Sequence, residues 1–106
     1  MKINIDDFKK IELKIGKVEF AEKIENTKLI KLIVNLGDEK RTIVAGIGER
    51  YSVEDLLGQL IVVVTNLEEK EIRGIKSQGM LLAADSKEGP ILIVPLEQVE
   101  PGTIVR

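Results

Sequence analysis

The densest collection of side-chain hydrogen-bond donors in the chain lies in one segment, Asn66-Leu67-Glu68-Glu69-Lys70-Glu71-Ile72-Arg73-Gly74-Ile75-Lys76-Ser77-Gln78-Gly79-Met80. Arg, Lys, Ser, Asn and Gln are the side chains that contact phosphate and ribose oxygens, and two glycines let backbone amides approach a ligand. The same composition also suits a solvated loop whose glycines only make turns. A second group of cations, Lys14, Lys17, Lys31 and Arg41, falls on segments with strand periodicity. A basic strand face beside a donor-rich loop would cradle a polyanion. With Glu12 and Glu19 on the same side, it would equally be a solubilising surface.

Other chemistries lose a necessary part. The 106 residues include no Cys, no His and no Trp, and the only aromatics are Phe8, Phe20 and Tyr51. That removes disulfides, thiolate nucleophiles, imidazole bases and zinc sites of the usual ligand types. Ser52, Ser77 and Ser86 lie in none of the nucleophile motifs, and Gly46-Ile47-Gly48 lacks the third glycine of a dinucleotide fingerprint. A non-catalytic protein without cofactor or metal is expected. The longest uninterrupted apolar run, Leu60 to Val64, is far below the about 20 residues that span a bilayer, and Met1-Lys2 opens no signal-peptide pattern. The chain reads as cytoplasmic. Net charge is −2, with residues 1–53 at +2 and residues 54–106 at −4, so attraction for a polyanion must come from a local patch. Bases of a single strand stack on aromatic rings at about 1–3 kcal/mol each, and three rings are few for that. A folded RNA held by backbone shape is the better match.

Length and a content of 37 Ile, Val and Leu residues define one folded domain, 1–106. Ile5 to Ile11 reads as a helical turn capped by Asp6, with Phe8 and Ile11 forming a lid. Ile11, Leu13 and Ile15 alternate with Glu12 and Lys14, and the apolar positions then slip to Val18 and Phe20, which predicts a bulge at Gly16-Lys17. Lys14 and Lys17 then point away from the core. Ala21 to Lys28 reads as a loop, Lys28 to Leu36 and Arg41 to Ala45 as strands, and Ser52 to Gly58 as a capped short helix. Gln59 to Leu67 is a central strand, Asn66 to Gln78 a polar segment, and Gly79 to Ala84 a fifth strand. Three strands, a helix and two strands is the order of an OB fold, an all-β, five-stranded Greek-key barrel. In that fold the ligand face is bounded by the loops between strands one and two and between strands four and five. The barrel accounts for residues 1–86. Residues 87–106 form an apolar extension, with Ile91, Ile93, Val99 and Ile104 as candidate dimer contacts, that would be buried on the domain itself or against a twin.

Asn66-Leu67 followed by Ile72-Arg73-Gly74-Ile75-Lys76-Ser77-Gln78-Gly79-Met80-Leu81-Leu82-Ala83-Ala84 resembles the signature of the tRNA-binding domain family. The start Ile5-Asp6-Asp7-Phe8, Leu13 to Val18, Lys28 to Leu32, Arg41 to Ile47 and Pro101-Gly102 also fit, so the resemblance covers nearly the whole chain. It implies an OB-fold homodimer that binds tRNA by shape and serves methionyl-tRNA synthetase, as a free-standing protein or a β-type subunit. It places Asn66, Arg73, Lys76, Ser77, Gln78 and Met80 at or beside the tRNA site, Ser77 and Gln78 donating to backbone oxygens and Met80 packing on a ribose or base. Lys70, Lys14, Lys31 and Arg41 complete the expected set. Met80 is equally suited to ordinary strand packing. A related module on the same fold, a dimeric secretion chaperone, binds unfolded peptide instead. The chain departs from the family at Glu68-Glu69-Lys70-Glu71, usually Lys- or Arg-rich, and at Ile24-Glu25-Asn26-Thr27, where a His-Pro stretch is usual. Both changes remove positive charge, so modest, salt-sensitive binding is expected.

Overall fold

The computed structural model describes residues 1–106. Its order is α1 (Ile5–Phe8), β1 (Leu13–Lys23), β2 (Ile30–Asn35), β3 (Lys40–Ala45), α2 (Val53–Leu56), β4 (Leu60–Val64), β5 (Lys70–Ile72), β6 (Ile75–Ser77), β7 (Met80–Leu81), β8 (Ala83–Ser86), β9 (Gly89–Leu92) and β10 (Ile104–Val105).

Alternation along β2 turns Ile30, Leu32 and Val34 inward and leaves Lys31, Ile33 and Asn35 on the outer face. β1 runs antiparallel to β2 over its second half and to β4 over its first, and β2 pairs with β3. β7 pairs with β4, giving the order β3-β2-β1-β4-β7. The barrel closes where the Gln78 N–H donates to Thr42 O at 2.8 Å, bringing the β6–β7 segment against β3. This is the OB fold, with β6 and β7 together serving as its fifth strand. The core is aliphatic: Val18, Ile30, Leu32, Val34, Ile43, Ile61 and Val63 are all essentially inaccessible. Each such side chain contributes about 1.5–3 kcal/mol of apolar burial. α2 adds Leu56 to this core, and its reciprocal cap is the expected one: Ser52 Oγ accepts from the Asp55 N–H while Asp55 Oδ2 accepts from the Ser52 N–H.

β1 is apolar on both faces, and this corrects the bulge reading. Lys14, Gly16 and Val18 face the barrel interior, whereas Leu13 and Ile15 face outward into a second cluster with Leu60, Val62, Leu82 and Val105. Pairing with β4 is unbroken from Leu13 to Lys17, and the register shift lies between Val18 and Phe20. Two apolar faces covered from opposite sides imitate a slipped single face. Gly16 is required for another reason: a Cβ there would collide with the Val34 side chain where β2 crosses.

The outer cluster is covered by the chain's own tail. β10 pairs with β1 at Leu13↔Val105 and Lys14↔Ile104, the Gly102 N–H donates to Ile15 O, and the Ile15 N–H donates to Thr103 O. The division at residue 86 falls inside the β8–β9 hairpin, whose Leu92 is buried in the main core and whose Leu92 N–H donates to Tyr51 Oη. α1 is capped by Asn4, not Asp6, and none of its residues is buried, so it is not a closed lid. β1 continues to Lys23, which shortens the first loop to residues 24–29.

Candidate nucleic-acid interface

The segment between β4 and the closing strand is a projecting hairpin. Its register is Lys70↔Ser77, Glu71↔Lys76 and Ile72↔Ile75, and Arg73-Gly74 form the two-residue tip. Both tip residues have positive φ, 52° and 80°, as a type I′ turn requires. Glycine accepts this freely, whereas arginine is strained there. A cation held in an unfavourable backbone conformation at an exposed tip is the feature a partner would meet first. Strand alternation puts Lys70, Ile72 and Ser77 on the face turned to the barrel and Glu71 and Lys76 on the opposite face. Lys70, Arg73 and Lys76 are exposed and make no ion pair.

Between hairpin and barrel lies a groove of about 560 Å³, lined by Val44, Leu67, Glu68, Lys70, Ile72 and Met80. Met80 is half exposed, so its side chain is only partly used in packing. On the same outer surface, register sets Lys31 opposite Val44, Glu22 opposite Lys31, and Phe20 opposite Ile33. Val44, Leu67 and Ile72 were not among the expected site residues, although the alternation of β3 could have found Val44.

The remaining expected contacts hold the hairpin in place. Ser77 is 5% exposed, and its Oγ accepts from the Val44 N–H at 3.0 Å and donates to Gly79 O at 3.2 Å. Gln78 Oε1 accepts from the Thr42 N–H, and Nε2 donates to Glu69. The hydroxyl and amide donors expected to reach a ligand are therefore already engaged. Asn66 is engaged too: its Oδ1 accepts from the Glu12 N–H at 2.8 Å and its Nδ2 donates to Lys10 O at 2.6 Å, stapling the N-terminal segment to the end of β4.

Arg41 and Lys14 are likewise only partly exposed. Arg41 binds Glu39 through Nε and Nη2, at 2.8 and 3.2 Å, while Nη1 donates to Thr65 O and Gln78 O. The Glu39 hydrogen bonds raise the Arg41 pKa above its ordinary value against the opposing effect of burial, and reciprocally hold the Glu39 carboxyl below the usual range. Lys14 faces the barrel end, 3.9 Å from Glu12, because the outward positions of β1 belong to Leu13 and Ile15.

Comparison with known proteins decides the family. The model described as "Putative tRNA binding domain" matches residues 13–104. The chain belongs to the tRNA-binding domain family. Among relatives, methionine–tRNA ligase of Thermotoga maritima is 53% identical over 104 residues and that of Archaeoglobus fulgidus 48% over 104, each match covering 97% of this chain. The matched region is 16% of the length of each ligase. A solved structure described as a MetRS related protein, from Pyrococcus horikoshii, superposes with a TM-score of 0.92 at 44% identity, covering 100% of this chain and 99% of that one. The chaperone CsaA of Bacillus anthracis also superposes at 0.92, with 31% identity and full coverage of both chains. No helix is long and apolar enough to cross a membrane.

Proposed function

We propose that this chain is a non-catalytic, cytoplasmic tRNA-binding module that engages folded tRNA with the β5–β6 hairpin. The observation that carries this reading is the strained, solvent-facing Arg73 at a hairpin tip flanked by Lys70 and Lys76, in a member of the tRNA-binding domain family. Lys31 and the Met80 groove extend the surface along the barrel, while Arg41, Asn66, Ser77 and Gln78 act by shaping it and Lys14 lies beside Glu12. Glu68, Glu69 and Glu71 offset much of the local positive charge. Few phosphate contacts are therefore expected, which makes affinity modest but the salt slope shallow, a correction to the salt-sensitive binding expected from the sequence. Titrations with tRNA, single-stranded RNA and duplex RNA at low salt test this: preference for tRNA is expected, and equal or absent binding to all three would overturn it.

The module acts as a homodimer in trans with methionyl-tRNA synthetase in this proposal. Ile93, Val99 and Ile104 are exposed, Ile91 is half-buried, and Ile5, Phe8 and Ile11 line an apolar groove of about 460 Å³ with Ile104. A second copy placed there would cover Ile5, Phe8, Ile11 and Ile104 and double the RNA contacts. Sedimentation at micromolar concentration should give twice 11.8 kDa, and a monomer mass contradicts the dimer.

A second reading has its own observation. The groove walls Val44, Leu67, Ile72 and Met80 are apolar, which suits an extended unfolded peptide and parallels the similarity to the CsaA chaperone. Capture of unfolded polypeptide without tRNA binding would favour it.

A further inference from the structure

Two carbonyls bracket the projecting segment, Thr65 O before it and Gln78 O after it, and one nitrogen, Arg41 Nη1, donates to both. The rest of the guanidinium is gripped by Glu39 through two parallel hydrogen bonds. A guanidinium offers five donors in a rigid planar fork, so one side chain can hold a carboxylate on one edge and two carbonyls on the other. Lysine has the charge without that geometry.

We propose that Arg41, held by Glu39, is a positioning residue that fixes the angle at which the β5–β6 hairpin leaves the barrel, so that its tip meets the RNA already oriented. The inference rests on the tRNA reading for its functional consequence, and on the hydrogen bonds alone for its structural one. Neighbouring contacts reinforce the same junction: the Gln78 N–H to Thr42 O, the Thr42 N–H to Gln78 Oε1, and the Val44 N–H to Ser77 Oγ. The engaged face of the guanidinium leaves Arg41 poorly placed to take a phosphate. Its side chain is 21% exposed, against 44% for Glu39.

The diagnostic variant is Glu39→Gln, because charge and position act in opposite directions on it. Removing a carboxylate near an RNA site raises affinity if electrostatics alone governs. Loosening the grip on Arg41 lowers affinity, since an untethered hairpin must be ordered on binding. Expected for E39Q is about three- to tenfold weaker tRNA binding, with the slope of log K against log salt unchanged because no phosphate contact is lost. Arg41→Lys should match it despite keeping the charge. Tighter binding by E39Q, or wild-type binding by R41K, overturns the proposal. So does a fall in slope of about 0.7–0.9 in Arg41→Met, which marks a direct phosphate contact.

Amide hydrogen exchange separates this claim from tRNA binding itself. In E39Q and R41K the Thr42, Ile72 and Gln78 amides should exchange about tenfold faster than in wild type, while Ile61 and Val63 in the core stay protected. If wild type fails to bind tRNA but exchange changes this way, the brace stands and the tRNA reading falls. If exchange at those amides is unchanged, the brace is wrong whatever the binding result.

Discussion

The two ends of one hairpin follow opposite rules. At its root, donors and acceptors of Asn66, Ser77, Gln78 and Arg41 meet partners within the fold, and no buried side-chain polar atom lacks one. Toward its tip, Arg73 is strained and Lys76 makes no ion pair, and both are exposed, as is Lys70 on the rung opposite Ser77. The same residue types, amides and cations, serve fixation in one place and encounter in the other. What separates them is register and burial, since a buried polar group must be satisfied locally whereas an exposed cation can wait for a partner.

Damage to the root should therefore cost stability, and damage to the tip should cost only binding. The largest stability effect is expected from Gly79→Ala. Gly79 has φ 145°, and an added Cβ would lie 2.9 Å from Val64 O, so β7 could not stay against β4. Backbone strain plus lost closure should lower stability by about 2–4 kcal/mol, read by urea denaturation. A change below about 0.5 kcal/mol would show that closure at this point tolerates displacement.

Arg73→Asn sharpens the contrast, because asparagine accepts the left-handed turn that arginine resists. Stability should rise by about 0.5–1 kcal/mol while tRNA affinity falls, a gain and a loss from one atom set. A variant that is neither more stable nor weaker in binding would remove the tip from the account.

The smallest effect concerns acid. Glu39 is held below the usual carboxylate range by its Arg41 hydrogen bond, Glu19 by Lys40 and Asn35, and Asp55 by the Ser52 backbone and hydroxyl. Carboxyls with lowered folded pKa stabilise the native state above their unfolded values and lose that contribution as pH falls through the folded ones. Unfolding temperature should hold steady from pH 7 to about 5 and decline below about 4, with a smaller decline in E39Q. A rise in stability toward acid contradicts these assignments.

How far the sequence carried the reading follows the same division. The β2 alternation, the apolar β4 and the Ser52-Asp55 cap are local patterns, and each appears where its periodicity or spacing puts it. The hairpin tip was visible only as charge and glycine, since an Arg at a type I′ position is not the usual signal. The apolar slip in β1 reads as a bulge at Gly16-Lys17 because the tail that covers Leu13 and Ile15 lies some 90 residues away in sequence, and nothing near Gly16 announces it. Lys14 and Arg41 read as outward cations in the sequence for the same reason: long-range pairing, which residue type does not announce, turns them toward the barrel end. Ser77, Gln78 and Asn66 have side chains that suit either a ligand or a neighbouring backbone, and only the closed barrel supplies the backbone.

The most direct test of the account is a tRNA titration of the double variant Arg73→Glu and Lys76→Glu at low salt. The expected result is loss of detectable binding in a protein that stays folded, with only a small fall in unfolding temperature, because both side chains are exposed and a carboxylate at position 76 would face Glu71 across the ladder. Affinity equal to wild type in a folded variant would contradict the assignment of tRNA recognition to this hairpin.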